Sequence, residues 1–406
     1  MKSLKLFCSF LLLITILCLQ SVDLSAQRGN EFIYGKITTK SNEQYIGFMR
    51  WGKQELMWHD VFNSTKKAQK HKKAQEEKPS SLWDNFNWSL SSIWEDKYRQ
   101  QAHVFSCFFG DIKAIYPKSS DYLDLELKNG TIINLEGGSD DVGTSVYVYD
   151  YELGRVKIKW SKIKKVEFSS GPLETDDELG QPLYGKLKTR RKGTLEGYIK
   201  WDLEERITED ILDGRGDQQI AFKNISSITK KDNGAKVTLH SGREVFLNGS
   251  NDVNNSNRGI AIFVDGVGNV EVSWKDFKHL ELFENPNSCL GYNDFKAPVG
   301  IKANCYTVDD EELEGLIVFD VDEKWEIEFI DGNDDNVKYQ IPIRYIERIV
   351  PKNQTYSQLY LKNGETILLG ESQDVSYKND GLLLFINGEE VPKLIDWKDI
   401  IEIKIK

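Results

Sequence analysis

Internal repetition is the feature that most restricts what this chain can fold into. Tyr34-Gly35-Lys36 returns as Tyr184-Gly185-Lys186, and Gly47-Phe48-Met49-Arg50-Trp51 returns as Gly197-Tyr198-Ile199-Lys200-Trp201. Glu55 and Asp60 answer to Glu205 and Asp210, all at an offset of 150. A third copy reads Gly315-Leu316-Ile317-Val318-Phe319-Asp320, followed by Glu323, and Asp213-Gly214 and Asp331-Gly332 each lie twelve positions beyond Trp201 or Phe319. Agreement of that length points to three long repeats, each one structural unit reused.

The second half of each repeat has its own signature. Leu127-Lys128-Asn129-Gly130, Leu239-His240-Ser241-Gly242 and Leu361-Lys362-Asn363-Gly364 are one hairpin in different letters, followed by Asp141-Val142, Asp252-Val253 or Asp374-Val375. Both halves close on an apolar triplet spaced by three. Phe109/Ile112/Ile115, Phe222/Ile225/Ile228 and Ile343/Ile346/Ile349 close the first halves, and Trp160/Ile163/Val166, Trp274/Phe277/Leu280 and Trp397/Ile400/Ile403 the second. That spacing suits a single 3₁₀ turn between two strands, because a 3₁₀ turn stacks residues i and i+3 on one face. Six such triplets suggest that both halves descend from one unit.

Strand alternation is clearest in the second repeat. Leu195, Ile199 and Trp201 fall on one face of a strand and Glu196, Tyr198 and Lys200 on the other, with Gly197 on the inner face, where a missing side chain permits sharp coiling or a close backbone approach. Five strands in each half-repeat, with a short turn before the last, resemble the SH3-like and Sm-like class of small barrels. The resemblance implies an all-β chain of six tandem five-stranded barrels in three pairs, over 28–170, 171–288 and 289–406. Members of that class are mostly recognition or assembly modules, although fold alone does not fix function. Units of this size are marginal alone, so the pairs are expected to share a core. Trp160, Trp274 and Trp397 are expected at equivalent, buried places.

Lys2 and Lys5, the apolar run from Leu6 to Leu19 and Leu24-Ser25-Ala26-Gln27 have the form of a secretory signal peptide over 1–27. The expected location is periplasmic, secreted or cell-surface-associated, with no transmembrane span. Beyond the signal, Cys107, Cys289 and Cys305 are too few for a disulfide scaffold. A formal charge of -11 argues against a nucleic-acid partner, which needs concentrated Lys and Arg.

One segment breaks the pattern. An insertion over 63–101 opens with Lys66, Lys67, Lys70, Lys72 and Lys73 and continues into Trp83, Phe86, Trp88, Leu90, Ile93 and Trp94. It reads as partly helical or disordered, and Trp83, Phe86, Trp88 and Trp94 are candidates for a partner contact, since exposed aromatic patches mark contact surfaces.

Catalytic motifs are missing: no HExxH, CxxC or nucleophile elbow occurs, and no cofactor motif. The metal candidates are oxygen-rich stretches of the third repeat, Asp309-Asp310-Glu311-Glu312 before Asp320, Asp322 and Glu323, and the loop of Asp331, Asn333, Asp334 and Asp335. Calcium would suit them, although neither matches the helix-flanked calcium loop. The expected function is a non-enzymatic exported repeat protein that binds or organises a protein or envelope polysaccharide. A structural part of an envelope assembly and a hydrolase with its site between barrels are the alternatives. A ligand-binding array predicts a polar or aromatic groove between modules; a structural part predicts a large apolar face.

Overall fold

The computed structural model describes residues 30–66, 103–137, 141–172, 179–286, 290–387, 389 and 391–406. The described chain is all-β, with helical structure limited to single 3₁₀ turns. In the first repeat the strands are β1 (Tyr34–Thr39), β2 (Gln44–Trp51), β3 (Val61–Lys66), β4 (His103–Phe108), β5 (Ile112–Pro117), β6 (Tyr122–Leu127), β7 (Ile132–Glu136), β8 (Val146–Asp150), β9 (Gly154–Ile158) and β10 (Ile163–Phe168). They pair antiparallel in the order β4-β3-β7-β6-β5-β10-β1-β2-β8-β9.

That order is symmetric about its centre. One group of five is β10-β1-β2-β8-β9 and the other is β5-β6-β7-β3-β4, joined where β10 pairs with β5. Each group takes a hairpin from one half-repeat and three strands from the other. The expectation of five consecutive strands per unit is therefore corrected: β1 meets β10, with Ile37 opposite Val166, and β5 meets β6. Alternation and turn residues dictate where strands lie, but two similar halves offer each other equivalent edges, so local pattern does not choose between self-pairing and exchange. The third repeat repeats every pairing. In the second, the counterparts of β3 and β4 (Ile211–Asp213 and Gln219–Ala221) form a ladder of their own. Gly268–Val272 of the second repeat pairs with Val337–Pro342 of the third, so these two repeats share one ladder of 18 strands.

The apolar triplets sit where their spacing puts them. Phe109, Trp160, Phe222, Ile343 and Trp397 each open a 3₁₀ turn, and Ile112, Ile163, Ile225, Ile346 and Ile400 begin the strand after it. Trp274 opens a hydrogen-bonded turn before Phe277 in the same way. The first residue belongs to the turn rather than to the preceding strand. In the second halves its ring packs near-perpendicular to the aromatic residue at the end of the second strand: Trp51 on Trp160 at 6.1 Å, Trp201 on Trp274 at 6.0 Å and Phe319 on Trp397 at 5.9 Å between centroids. Edge-to-face pairs of this kind add to the burial of large apolar rings.

Gly47, Gly197 and Gly315 mark the point where the second strand passes from the first strand to its partner from the other half. A Cβ on Gly197 would lie 2.0 Å from the Phe263 carbonyl oxygen, and one on Gly47 would lie 2.0 Å from that of Tyr149. Gly197→Ala is expected to cost about 1–3 kcal/mol, because backbone rather than a flexible side chain must move. Urea unfolding checks this, and an unchanged midpoint would show that the strand can shift freely.

Lys66 pairs with His103 at the end of the β3–β4 ladder, so the insertion connects two strands of a hairpin. Its expected start is corrected: 63–66 belongs to β3, where Ser64 faces inward and bonds the Glu136 carbonyl at 2.6 Å. Trp83, Phe86, Trp88 and Trp94 lie outside the described residues, as do the signal segment and Cys289. Cys107 and Cys305 are buried. Among the described residues no helix is long and apolar enough to cross a membrane.

The repeats are fastened together by buried charge. Arg50 bonds Asp210 at 2.7 Å, Arg206 bonds Asp60, and Lys200 lies 3.3 Å from Glu55. Asp60 and Asp210 are repeat counterparts, so the first and second repeats clasp each other reciprocally. The third joins the first through Arg344–Asp111 at 2.7 Å and Lys66–Glu328 at 2.5 Å. Glu328 is the third counterpart of Asp60. All three carboxylates also accept two N–H groups of the preceding turn.

Candidate functional site

An acidic cavity of about 240 Å³ opens in the third repeat, lined by Asp320, Asp322, Glu323, Glu328, Asp331 and Asp374, with Val104 and Ser106 of the first repeat on its wall. The first three residues come from one tight turn. Phe319 and Glu323 exchange backbone hydrogen bonds of 2.9 Å, and Asp320 and Val321 both take left-handed φ, of 48° and 63°. Such consecutive left-handed residues are uncommon outside glycine. Here they fold the turn back so that one carboxylate oxygen each of Asp320, Asp322 and Glu323 lies within 4.8 Å of the others. Asp331 arrives on the strand Phe329–Asp334 and Asp374 from the loop after Thr366–Gly370. Asp374 is fixed by the Asp331 N–H at 2.6 Å. The same bond recurs as Asp213 N–H to Asp252 at 2.7 Å and Asn63 N–H to Asp141 at 2.8 Å, which explains the Asp-Val signature as a cap on the third strand.

Packing carboxylates together away from water favours their neutral form. Burial, with Asp322 beside it, pushes Asp320 up to about 8. Burial followed by Asp322 and Asp374 holds Glu323 well above the usual carboxylate range, and burial followed by Asp331 does the same to Asp374. Burial raises Asp331 to about 6. The countercharge is Lys66: burial alone would lower its ammonium, but Glu328 and then Asp322 outweigh that and raise it. Glu323 is 8% exposed, and its Oε2 has no hydrogen-bond partner.

A larger groove of about 410 Å³ adjoins this cavity, and the two share Asp331 and Ser372. All three repeats line it: Gln54 and Asn63 from the first, Lys200 and Asn269 from the second, Asn333 and Gln340 from the third. Its floor is the junction of Gly268–Val272 with Val337–Pro342, braced by Lys338 on Glu271 at 3.0 Å. Glu55 lies in the groove against Lys200.

Of the oxygen-rich loop singled out in the sequence, Asp331 faces the cavity and Asn333 the groove, whereas Asp334 and Asp335 lie 2.5 and 3.3 Å from the Lys192 ammonium. Asp309 to Glu311 lie in an exposed turn and Glu312 opens the strand Glu312–Phe319, with Glu311 paired to Lys393 at 2.6 Å. Asp374 and Lys66 come from distant segments, and sequence reasoning did not place them at the site. No His or Cys lines either cavity. His59, 1% exposed, stacks on Phe263 at 4.2 Å, and burial together with Arg206 lowers it to about 3, so it is a neutral packing group.

No family model and no curated protein matches this chain. A solved structure titled streptogramin B lyase structure is similar at 11% identity, covering 73% of this chain and 94% of that one, with a TM-score of 0.12. At that score the likeness carries no argument about fold or function.

Proposed function

We propose that this chain is a non-enzymatic binding protein of the cell envelope that holds a glycan segment in the groove between its three repeats. One observation carries the reading: the groove of about 410 Å³ is polar and is built jointly by all three repeats, as a ligand-binding array requires, whereas a purely structural part would instead present a wide apolar face. Amides such as Gln54, Asn269, Asn333 and Gln340 offer paired donors and acceptors, which suits vicinal hydroxyls better than apolar peptide side chains. Each exchanged group of five strands is read, within this proposal, as an SH3-like recognition unit, and export follows from the signal-like N-terminal segment. Catalysis is not part of the proposal, because the groove's buried acid Glu55 already faces Lys200.

The test titrates the full chain with soluble peptidoglycan fragments and envelope oligosaccharides by calorimetry. Binding in the micromolar-to-millimolar range is expected, weakened about tenfold or more by Asn269→Ala with Gln340→Ala at an unchanged melting temperature. Failure of every glycan to bind, or binding indifferent to the double substitution, would reject the groove as the site.

A further inference from the structure

The second and third repeats share the same turn but neutralise it differently. In the second, Asp202 and Glu204 follow Trp201 as Asp320 and Asp322 follow Phe319. Arg258 answers both, at 3.2 Å from Asp202 and 2.9 Å from Glu204, and its N–H bonds Asp202 at 2.6 Å. The loop bearing it aligns without a gap in the third repeat and keeps the same hydrogen bonds. Asn257 bonds the Asp252 carbonyl as Asn379 bonds that of Asp374; Gly259 N–H bonds Asn257 as Gly381 N–H bonds Asn379; and Asp380 N–H bonds Asp320. At the position of Arg258 the third repeat has Asp380. The built-in cation is thus replaced by a further acid, while Asp331 stands where the first repeat has Asn63.

We infer that the third repeat holds a divalent, oxygen-seeking cation between Asp320, Asp322 and Glu323, in the place the Arg258 guanidinium fills in the second repeat. Two observations point there beyond the acidic cluster: the loss of the internal arginine at a position fixed by matching hydrogen bonds, and the buried Glu323 Oε2 without a hydrogen-bond partner in the cavity, an orphan that its counterpart Glu205 shares at the turn Arg258 closes. Three oxygens within 4.8 Å of one another lie no more than about 2.8 Å from a common centre, so a small inward movement of these side chains brings them to the roughly 2.3–2.6 Å that calcium takes. The donor set contains no nitrogen or sulfur, which disfavours zinc and favours calcium, with magnesium or manganese behind it. The 240 Å³ cavity leaves room for water to complete a shell of six to eight oxygens. Asp331 and Asp374 stand behind these ligands as further negative charge. Lys66 enters from the other side, its ammonium 2.5 Å from Glu328, bonded to the Asp322 carbonyl and 4.0 Å from the Asp322 carboxylate, so it competes with the ion for Asp322 and lowers affinity.

The test uses the full chain, stripped with chelator and dialysed, with calcium, magnesium and manganese chloride added separately. Calorimetry should show one calcium ion per chain at a dissociation constant of about a millimolar or tighter, with a matching rise in melting temperature. Asp380→Arg restores the second repeat's arrangement; it should raise the metal-free melting temperature and weaken calcium binding by about tenfold or more. Glu323→Gln should do the same, since the amide relieves repulsion while removing a ligand charge, and it decides the matter if the arginine cannot be accommodated. The inference is overturned if no metal binds up to about 10 mM, an order above the weak end of extracellular calcium modules, or if neither folded variant changes binding. Neither result bears on glycan titration of the groove, so the two proposals fail separately.

Discussion

Replacing Arg206 with methionine is expected to destabilise the junction of the first and second repeats by about 3–5 kcal/mol, the cost of leaving one member of a buried ion pair without its partner. Arg206 and Asp60 are 2% and 3% exposed, and burial alone would raise the Asp60 carboxyl. Arg206, with Lys200 behind it, outweighs burial and holds Asp60 below its ordinary range. Without the guanidinium, Asp60 keeps the Leu56 and Met57 N–H groups at 2.7 and 2.8 Å, and the Arg50–Asp210 and Lys200–Glu55 pairs are left to bear the junction's charge contacts. Adding Asp60→Asn to Arg206→Met should recover part of the loss, because the neutral amide no longer needs a countercharge. Urea unfolding of the full chain, followed by tryptophan fluorescence and circular dichroism, should show an early transition of the first repeat in the single variant, since loosening one junction divides a cooperative unit. A midpoint within error of the parent's would mean that the ion pair contributes nothing net.

This junction also shows where sequence reading stops. The strands, the hairpin turns and the six triplets were legible because each is set by residues within a few positions of one another, and the Trp160, Trp274 and Trp397 positions followed from that period. Gly197 was legible too, since a glycine on an inward face has few reasons other than a close backbone. Pairing between halves was not, because equivalent edges carry the same pattern. Tyr198 was read on an outer face, but at 7% exposure it is covered by His59 of the first repeat, 4.7 Å between ring centroids. Nothing within its own repeat signals that cover. The acidic turn Asp320-Val321-Asp322-Glu323 was visible as a charge-rich stretch, whereas its convergence with Asp374, and with Lys66 some 250 residues away, depends on topology. One signal was available: matching the loops after the Asp-Val signatures aligns Arg258 with Asp380 and exposes the charge reversal without coordinates.

Trp201→Ala is expected to cost about 3–5 kcal/mol, the range for emptying a large aromatic from a closed core. Trp201 is fully buried, with Phe277, Trp274 and Phe222 around it at 5.2, 6.0 and 6.4 Å between ring centroids, and its indole N–H bonds the Asp252 carbonyl at 3.0 Å. Alanine leaves a void that rigid rings cannot close and removes one of the two hydrogen bonds to that carbonyl, which keeps the Asn257 amide. Trp201→Phe separates the two contributions. The third repeat already places Phe319 here, edge-on to Trp397 with no indole N–H, so a phenyl ring is compatible with this core. That substitution should cost about 1–2 kcal/mol, mainly the lost hydrogen bond and the smaller ring. Equilibrium unfolding of both variants beside the parent tests the ordering. A phenylalanine variant as damaged as the alanine one would show that the indole N–H bond, rather than ring packing, holds the second strand to the Asp-Val loop.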